Sequence, residues 1–107
     1  MPDFFISIHQ NYFKNPNISG TEVYYYRGDK EAKRLGEEII KEMVKDLGTI
    51  NKGVKTANFF LLRDTKISSL HIEVVYISNP KEEALFKTEE FQTKTAIAIA
   101  NGIVNYY

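Results

Sequence analysis

The sequence has 107 residues, 43% of them hydrophobic, which is enough for one small domain with a core and too short for two. Fourteen basic residues balance fourteen acidic ones, so no global charge draws the chain to nucleic acid or to an anionic membrane. There are no cysteines, which excludes disulfides and thiolate metal sites.

Met1-Pro2-Asp3-Phe4 carries no basic stretch followed by a long apolar run, so no signal peptide is expected. No apolar run approaches the roughly 20 residues that span a bilayer. Phe4 to His9 is β-prone and reads as a buried strand. Alternation places Phe5, Ser7 and His9 on one face and Phe4, Ile6 and Ile8 on the other. Asn11 to Gly20 has loop composition, and Glu22 to Tyr26 is a second strand, rich in Val and Tyr.

Asp29 is the expected N-cap of a long helix. Its apolar stripe is Ala32, Leu35, Ile39, Met43 and Leu47, joined by Ile40 and Val44. Glu31, Arg34, Glu38, Lys41, Glu42 and Lys45 cover the other faces, and Gly48 stands where a C-cap belongs. Thr49 to Lys55 reads as a polar connection, and Phe59 to Leu62 as a short strand.

Leu70 to Ile77 is the strongest strand signal. Ile72, Val74 and Tyr76 should point one way, and His71, Glu73, Val75 and Ile77 the other. Apolar residues on both faces predict a central strand with helices on both sides. Asn79-Pro80-Lys81-Glu82 is a helix start, with Asn79 as cap, Pro80 in the first turn and Glu82 reaching back as box partner. A last helix runs from about Thr88 to about Asn105, patterned on Phe91, Ala96, Ile99, Ala100, Ile103 and Tyr107. Strands alternating with helices give an α/β class with a largely parallel sheet, in one domain over residues 1–107.

Few residues carry chemistry. His9 ends a strand and enters a polar loop, a place suited to a site at the sheet's edge or to a hydrogen-bonded structural histidine. Glu73 sits in an otherwise apolar strand, where an unpaired carboxylate is costly or has a raised pKa. It is a metal ligand, a general base, or half of a buried ion pair with a partner such as Arg63. His71 lies two residues earlier on the same face. By residue type His9, His71 and Glu73 make a metal set, but a histidine that merely packs is the stronger reading of His71. The tyrosines and phenylalanines read mainly as core rather than as a carbohydrate platform. Tyr24, Tyr25 and Tyr26 cannot all face one way.

Taken in series, several segments resemble one family. Phe5-Ile6-Ser7-Ile8-His9-Gln10-Asn11 resembles the Ser-Ile-His-Ala-Asn strand of zinc-dependent N-acetylmuramoyl-L-alanine amidases. Gly20-Thr21-Glu22-Val23-Tyr24-Tyr25 resembles their Gly-x-Glu-Val-Tyr-Tyr strand. Gly53 to Phe59 and Leu62 to Thr65 are similar to the stretch after their long helix. Ile72-Glu73 and Tyr76 to Glu83 resemble the strand and helix start that carry the catalytic Glu, and Ala96 to Tyr107 the final helix. Gln10 departs from a usual Ala, Val75 from a usual Gly and His71 from an apolar residue.

The resemblance implies a mixed, mostly parallel sheet flanked by helices, here without the family's N-terminal strands. It implies a peptidoglycan hydrolase that cleaves the N-acetylmuramoyl–L-alanine amide with zinc-activated water and a Glu general base. Glu73 would be the catalytic carboxylate, His9 a zinc ligand and Asn11 a substrate-binding residue. Peptidoglycan would be the partner and the cell wall or cell exterior the location. The family's other two zinc ligands, a His and a Glu, precede the Ser-x-His strand. The site is therefore expected to be incomplete, the chain by itself a poor hydrolase, and the exposed sheet edge a route to homo-oligomers. The alternative expectation is an amidase-like module that binds cell-wall glycopeptide without cleaving it.

Overall fold

The computed structural model describes residues 3–58 and 66–107. The strand expected over Phe59 to Leu62, and Arg63, lie outside them. Four strands, β1 (Phe4–Asn11), β2 (Thr21–Tyr25), β3 (Asn51–Thr56) and β4 (Ser68–Tyr76), form one sheet in the order β1-β4-β2-β3. The β1–β4 and β2–β3 pairings are parallel and β2–β4 is antiparallel. Among the described residues, three helices complete a mixed α/β fold: α1 (Lys30–Leu47), α2 (Pro80–Phe86) and α3 (Glu89–Tyr106).

Local signals set the helix ends. The Asp29 side chain accepts from Ala32 N at 3.0 Å, and Gly48 adopts φ 70°, with its N–H bonded to Val44 O. Thr88 caps α3 through Phe91 N, and Asn79 caps α2 through Glu82 N. The expected reach of Glu82 back to Asn79 does not occur. Asn79 N bonds Tyr76 O instead, and the buried Glu82 carboxylate accepts from Gly20 N and Tyr76 N, stapling the turn before β2 to the end of β4.

Leu35, Ile39 and Met43 of α1 pack with Val23 of β2 and with Leu70 and Ile72 of β4 in one core. Gly36 lets α1 sit close to the sheet, since a Cβ there would stand 3.1 Å from Val23 and 3.2 Å from Val54. Helix α3 packs on α1, closest where a Cβ on Gly102 would meet Ile39 Cα at 2.5 Å. Its buried stripe is therefore Phe91, Thr95, Ala98, Ile99 and Gly102. Ala96, Ala100 and Tyr107 of the expected pattern face outward. A helix this apolar all round does not reveal its inner face by hydrophobicity, and the small residue at the helix crossing decides it. Glu42, expected in solvent, is buried beside Lys45 at 3.0 Å.

The segment read as a polar connection is mostly β3. As an edge strand it needs backbone pairing to β2 and one apolar contact, Val54 on the core, so its side chains carry no alternation to detect. Strand β4 is central, as expected. Helices α1 and α3 both lie on its Leu70/Ile72 side, the side that also carries Phe4 and Ile6. The Glu73 side bears polar side chains from all four strands.

Candidate functional site

Strand register places the chemistry. His9 of β1 lies opposite Glu73 of β4, which lies opposite Glu22 of β2. The neighbouring rung on the same face is Ser7, His71, Tyr24 and Lys55, one residue from each strand. Directly opposed residues share a face, so these seven side chains line one side of the sheet. The segments holding His9 and Glu73, more than 60 residues apart in sequence, thus meet in one rung.

The β1–β4 pairing is irregular after His9, so that Asn11 pairs with Tyr76 rather than with Val75. One extra residue on a strand reverses the facing of the residues beyond it. Tyr76 was expected to point with Ile72 and Val74. Its hydroxyl instead donates to Glu22 on the polar face.

Glu73 is largely enclosed, with 12% of its side chain exposed. Its partner among the described residues is neither Lys nor Arg but His71, whose Nε2 lies 2.5 Å from Oε1. With the carboxylate ionised, the imidazole N–H is the donor. The second oxygen, Oε2, is buried without a hydrogen bond among the described residues. A buried acceptor left unpaired is costly, which marks this oxygen as poised for an incoming donor. The imidazole of His71 also packs against that of His9, with ring centroids 4.6 Å apart. The reading of His71 as mere packing is therefore corrected: it holds Glu73 and flanks His9. His9 itself is exposed at the end of β1.

Asn11 is committed within the molecule. Its Nδ2 donates to Glu22 Oε1 at 3.3 Å, its Oδ1 accepts from Tyr12 N, and its carbonyl accepts from Ile77 N.

Glu22, unremarked in the sequence, is the best-supported carboxylate of the face. It is only 2% exposed. Oε1 accepts from Asn11 and Tyr76, and Oε2 from Tyr24 at 2.6 Å and Lys55 at 3.0 Å. Burial works against its charge. The bonds from Tyr24, Tyr76 and Lys55, with the Lys55 charge, outweigh burial and hold its pKa below the usual carboxylate value. Burial and the neighbouring Glu22 anion push the Tyr24 and Tyr76 hydroxyls well above the ordinary tyrosine range, so both stay protonated donors. The signal available in the sequence was a carboxylate inside a strand rich in Val and Tyr, akin to the carboxylate in an otherwise apolar strand that singled out Glu73.

Among the described residues, no group of three His, Cys, Asp or Glu side chains converges to hold a metal ion. His9 offers one nitrogen, whereas catalytic zinc sites use three protein ligands. The described residues thus do not by themselves fit a catalytic zinc.

The family model for N-acetylmuramoyl-L-alanine amidase matches residues 1–105. The chain belongs to that family. This amidase-family chain is 36% identical over 107 residues to the N-acetylmuramoyl-L-alanine amidase LytC of Bacillus subtilis (strain 168), covering 98% of itself and 22% of LytC. It is also 36% identical to the uncharacterized protein YqiI of the same organism, covering 52% of it. Among solved structures, the CwlD amidase from Clostridioides difficile, in complex with the GerS lipoprotein, superposes with a TM-score of 0.92 at 35% identity. That match covers 97% of this chain and 54% of CwlD. The catalytic domain of CwlV, from Bacillus (Paenibacillus) polymyxa var. colistinus, gives a TM-score of 0.88 at 36% identity over 57% of its length. The chain therefore spans about half the length of the solved amidase catalytic domains it matches and is a partial catalytic domain. Among the described residues, no helix is long and apolar enough to cross a membrane.

Proposed function

We propose that this chain is the part of a peptidoglycan amidase that carries the acid–base carboxylate, Glu73, and one metal ligand, His9. The substrate is the amide joining the lactyl group of N-acetylmuramic acid to the L-alanine of a stem peptide, at the cell wall or cell exterior. The observation that carries the reading is Glu73 Oε2, a buried carboxylate oxygen without a hydrogen bond among the described residues, one strand away from His9. Glu73 takes a proton from water as the water oxygen attacks the carbonyl carbon. It returns that proton to the amide nitrogen as the C–N bond breaks, leaving a carboxylic acid and a free amine. His71 holds Oε1, which aims Oε2 at the reacting water.

Zinc held through His9 requires two further donors from outside the described residues. This shortfall supports a second reading, in which the face binds an N-acetylmuramoyl peptide without cleaving it. Asn11 at the face's rim is assigned to the substrate in either case, offering the second N–H of its amide to a substrate carbonyl while the first stays on Glu22. Strand β1 is a sheet edge with Phe5 and Ile8 exposed, which supports self-association through that edge, measurable by light scattering.

The test is to incubate the chain with zinc and an N-acetylmuramoyl-L-alanyl peptide, and to count new alanine amino termini while following the two histidine ring signals by NMR. Both readings expect the ring signals to move saturably. The catalytic reading adds amino termini that vanish in Glu73→Gln. Ring signals that stay fixed, or amino termini that persist undiminished in Glu73→Gln, contradict the proposal.

A further inference from the structure

One carboxylate gathers all four strands. Glu22 stands on β2 and bonds Tyr24 of its own strand, Asn11 of β1, Tyr76 of β4 and Lys55 of β3. Two of these partners sit where the site is made. Asn11 follows His9 by two residues, just past the register irregularity, and Tyr76 follows Glu73 by three and pairs with Asn11. Both donate to the same oxygen, Oε1. Asn11 keeps the facing that alternation gives it two residues after His9, the irregularity turns Tyr76 to the same face, and the shared oxygen fixes where the two meet.

We infer that Glu22 is a positioning residue for His9 and Glu73, clamping the ends of the two strands that carry them. The inference rests on the assignment of His9 and Glu73 as site residues. Like charges directly opposed across strands repel, and Glu22 lies opposite Glu73. The arrangement persists because the two carboxylates draw on separate donors. Glu22 takes Asn11, Lys55 and two tyrosine hydroxyls, and Glu73 takes His71. Lys55, partly exposed, supplies the charge that offsets Glu22 from the neighbouring edge strand β3. Each side of the clamp is thus chemically specified. Glutamine at 22 keeps the shape but places a donor group against the donors of one oxygen, and phenylalanine at 76 deletes only one bond.

The chain has two histidines, and both are at this site, so their rings report its geometry without overlap. The experiment records the nuclear Overhauser effect between the His9 and His71 rings in the wild type, Glu22→Gln, Tyr76→Phe and Ile99→Val. The last variant loosens the opposite face and calibrates general destabilisation. Expected is a clear inter-ring effect in wild type and Ile99→Val that is lost or at least halved in Glu22→Gln and Tyr76→Phe. Full intensity in the site variants, with melting lowered as in Ile99→Val, would overturn the inference and leave Glu22 a purely structural group. If Glu22→Gln does not fold, Tyr76→Phe decides the question. The readout needs no turnover, so a failure of hydrolysis bears on the proposed function and a persistent ring contact bears on Glu22.

Discussion

The two faces of this sheet are built by opposite rules. Under α1 and α3 the residues are apolar, fully buried and interchangeable in kind: Val23, Leu70 and Ile72 are held by shape and by exclusion of water. On the other face Glu22, Lys55, Tyr24, His71, Glu73 and His9 stand in two rungs, held by named hydrogen bonds with little apolar contact. Alternate residues of β4 serve the two faces, so one strand supplies both stability and chemistry. Substitutions on the first face should therefore act on folding, and those on the second on site geometry.

The largest effect belongs to the packed face. Leu70→Ala removes a fully buried side chain and should cost about 2–5 kcal/mol in denaturant unfolding. A loss under about 1 kcal/mol would mean that the helices do not depend on this face. Gly102→Ala comes next, since its Cβ would collide with the Ile39 backbone and drive α1 from α3. A cost of about 1–3 kcal/mol is expected, with the inter-ring contact of the histidines retained.

Glu22→Gln tests the polar face through pH. The folded-state pKa of Glu22 is depressed, so its contribution is complete above the ordinary glutamate value of 4.5 and is lost as pH falls through the lower folded value. Melting temperature should fall on acidification from 4.5 down through the lower folded value in wild type and fall less in Glu22→Gln. Equal acid slopes would remove Glu22 from the account of stability. The smallest effect is on Glu73, the proposed acid–base carboxylate. Glu73→Gln replaces a charge whose Oε2 has no hydrogen bond among the described residues, and should change stability by less than about 1 kcal/mol. A large loss would place Glu73 with the structural residues.

Legibility in the sequence divides along the same line. Helix α1 and strands β1, β2 and β4 were legible because burial imposes a period on side chains, and caps such as Asp29, Asn79 and Thr88 act on backbone within three residues. Strand β3 was not, because an edge strand is held by main-chain bonds that leave no mark on Asn51-Lys52-Gly53. Glu82 looked like a local capping partner, yet one of its donors, Gly20 N, is 62 residues away. The family motifs brought His9 and Glu73 into view together. The fold adds what spacing could not: the turned Tyr76 and the donors that Glu22 draws from β1, β3 and β4. Both depend on strand register and on the strand order that places β4 between β1 and β2.

The most direct test of the polar face as the working site is titration of an N-acetylmuramoyl-L-alanyl peptide into the wild-type chain, monitored through the His9 and His71 ring signals. The account predicts saturable movement of both rings, while the methyl signals of Leu70 and Ile72 on the opposite face stay in place. Movement confined to the apolar face, or no movement of either ring at saturating peptide, would contradict it.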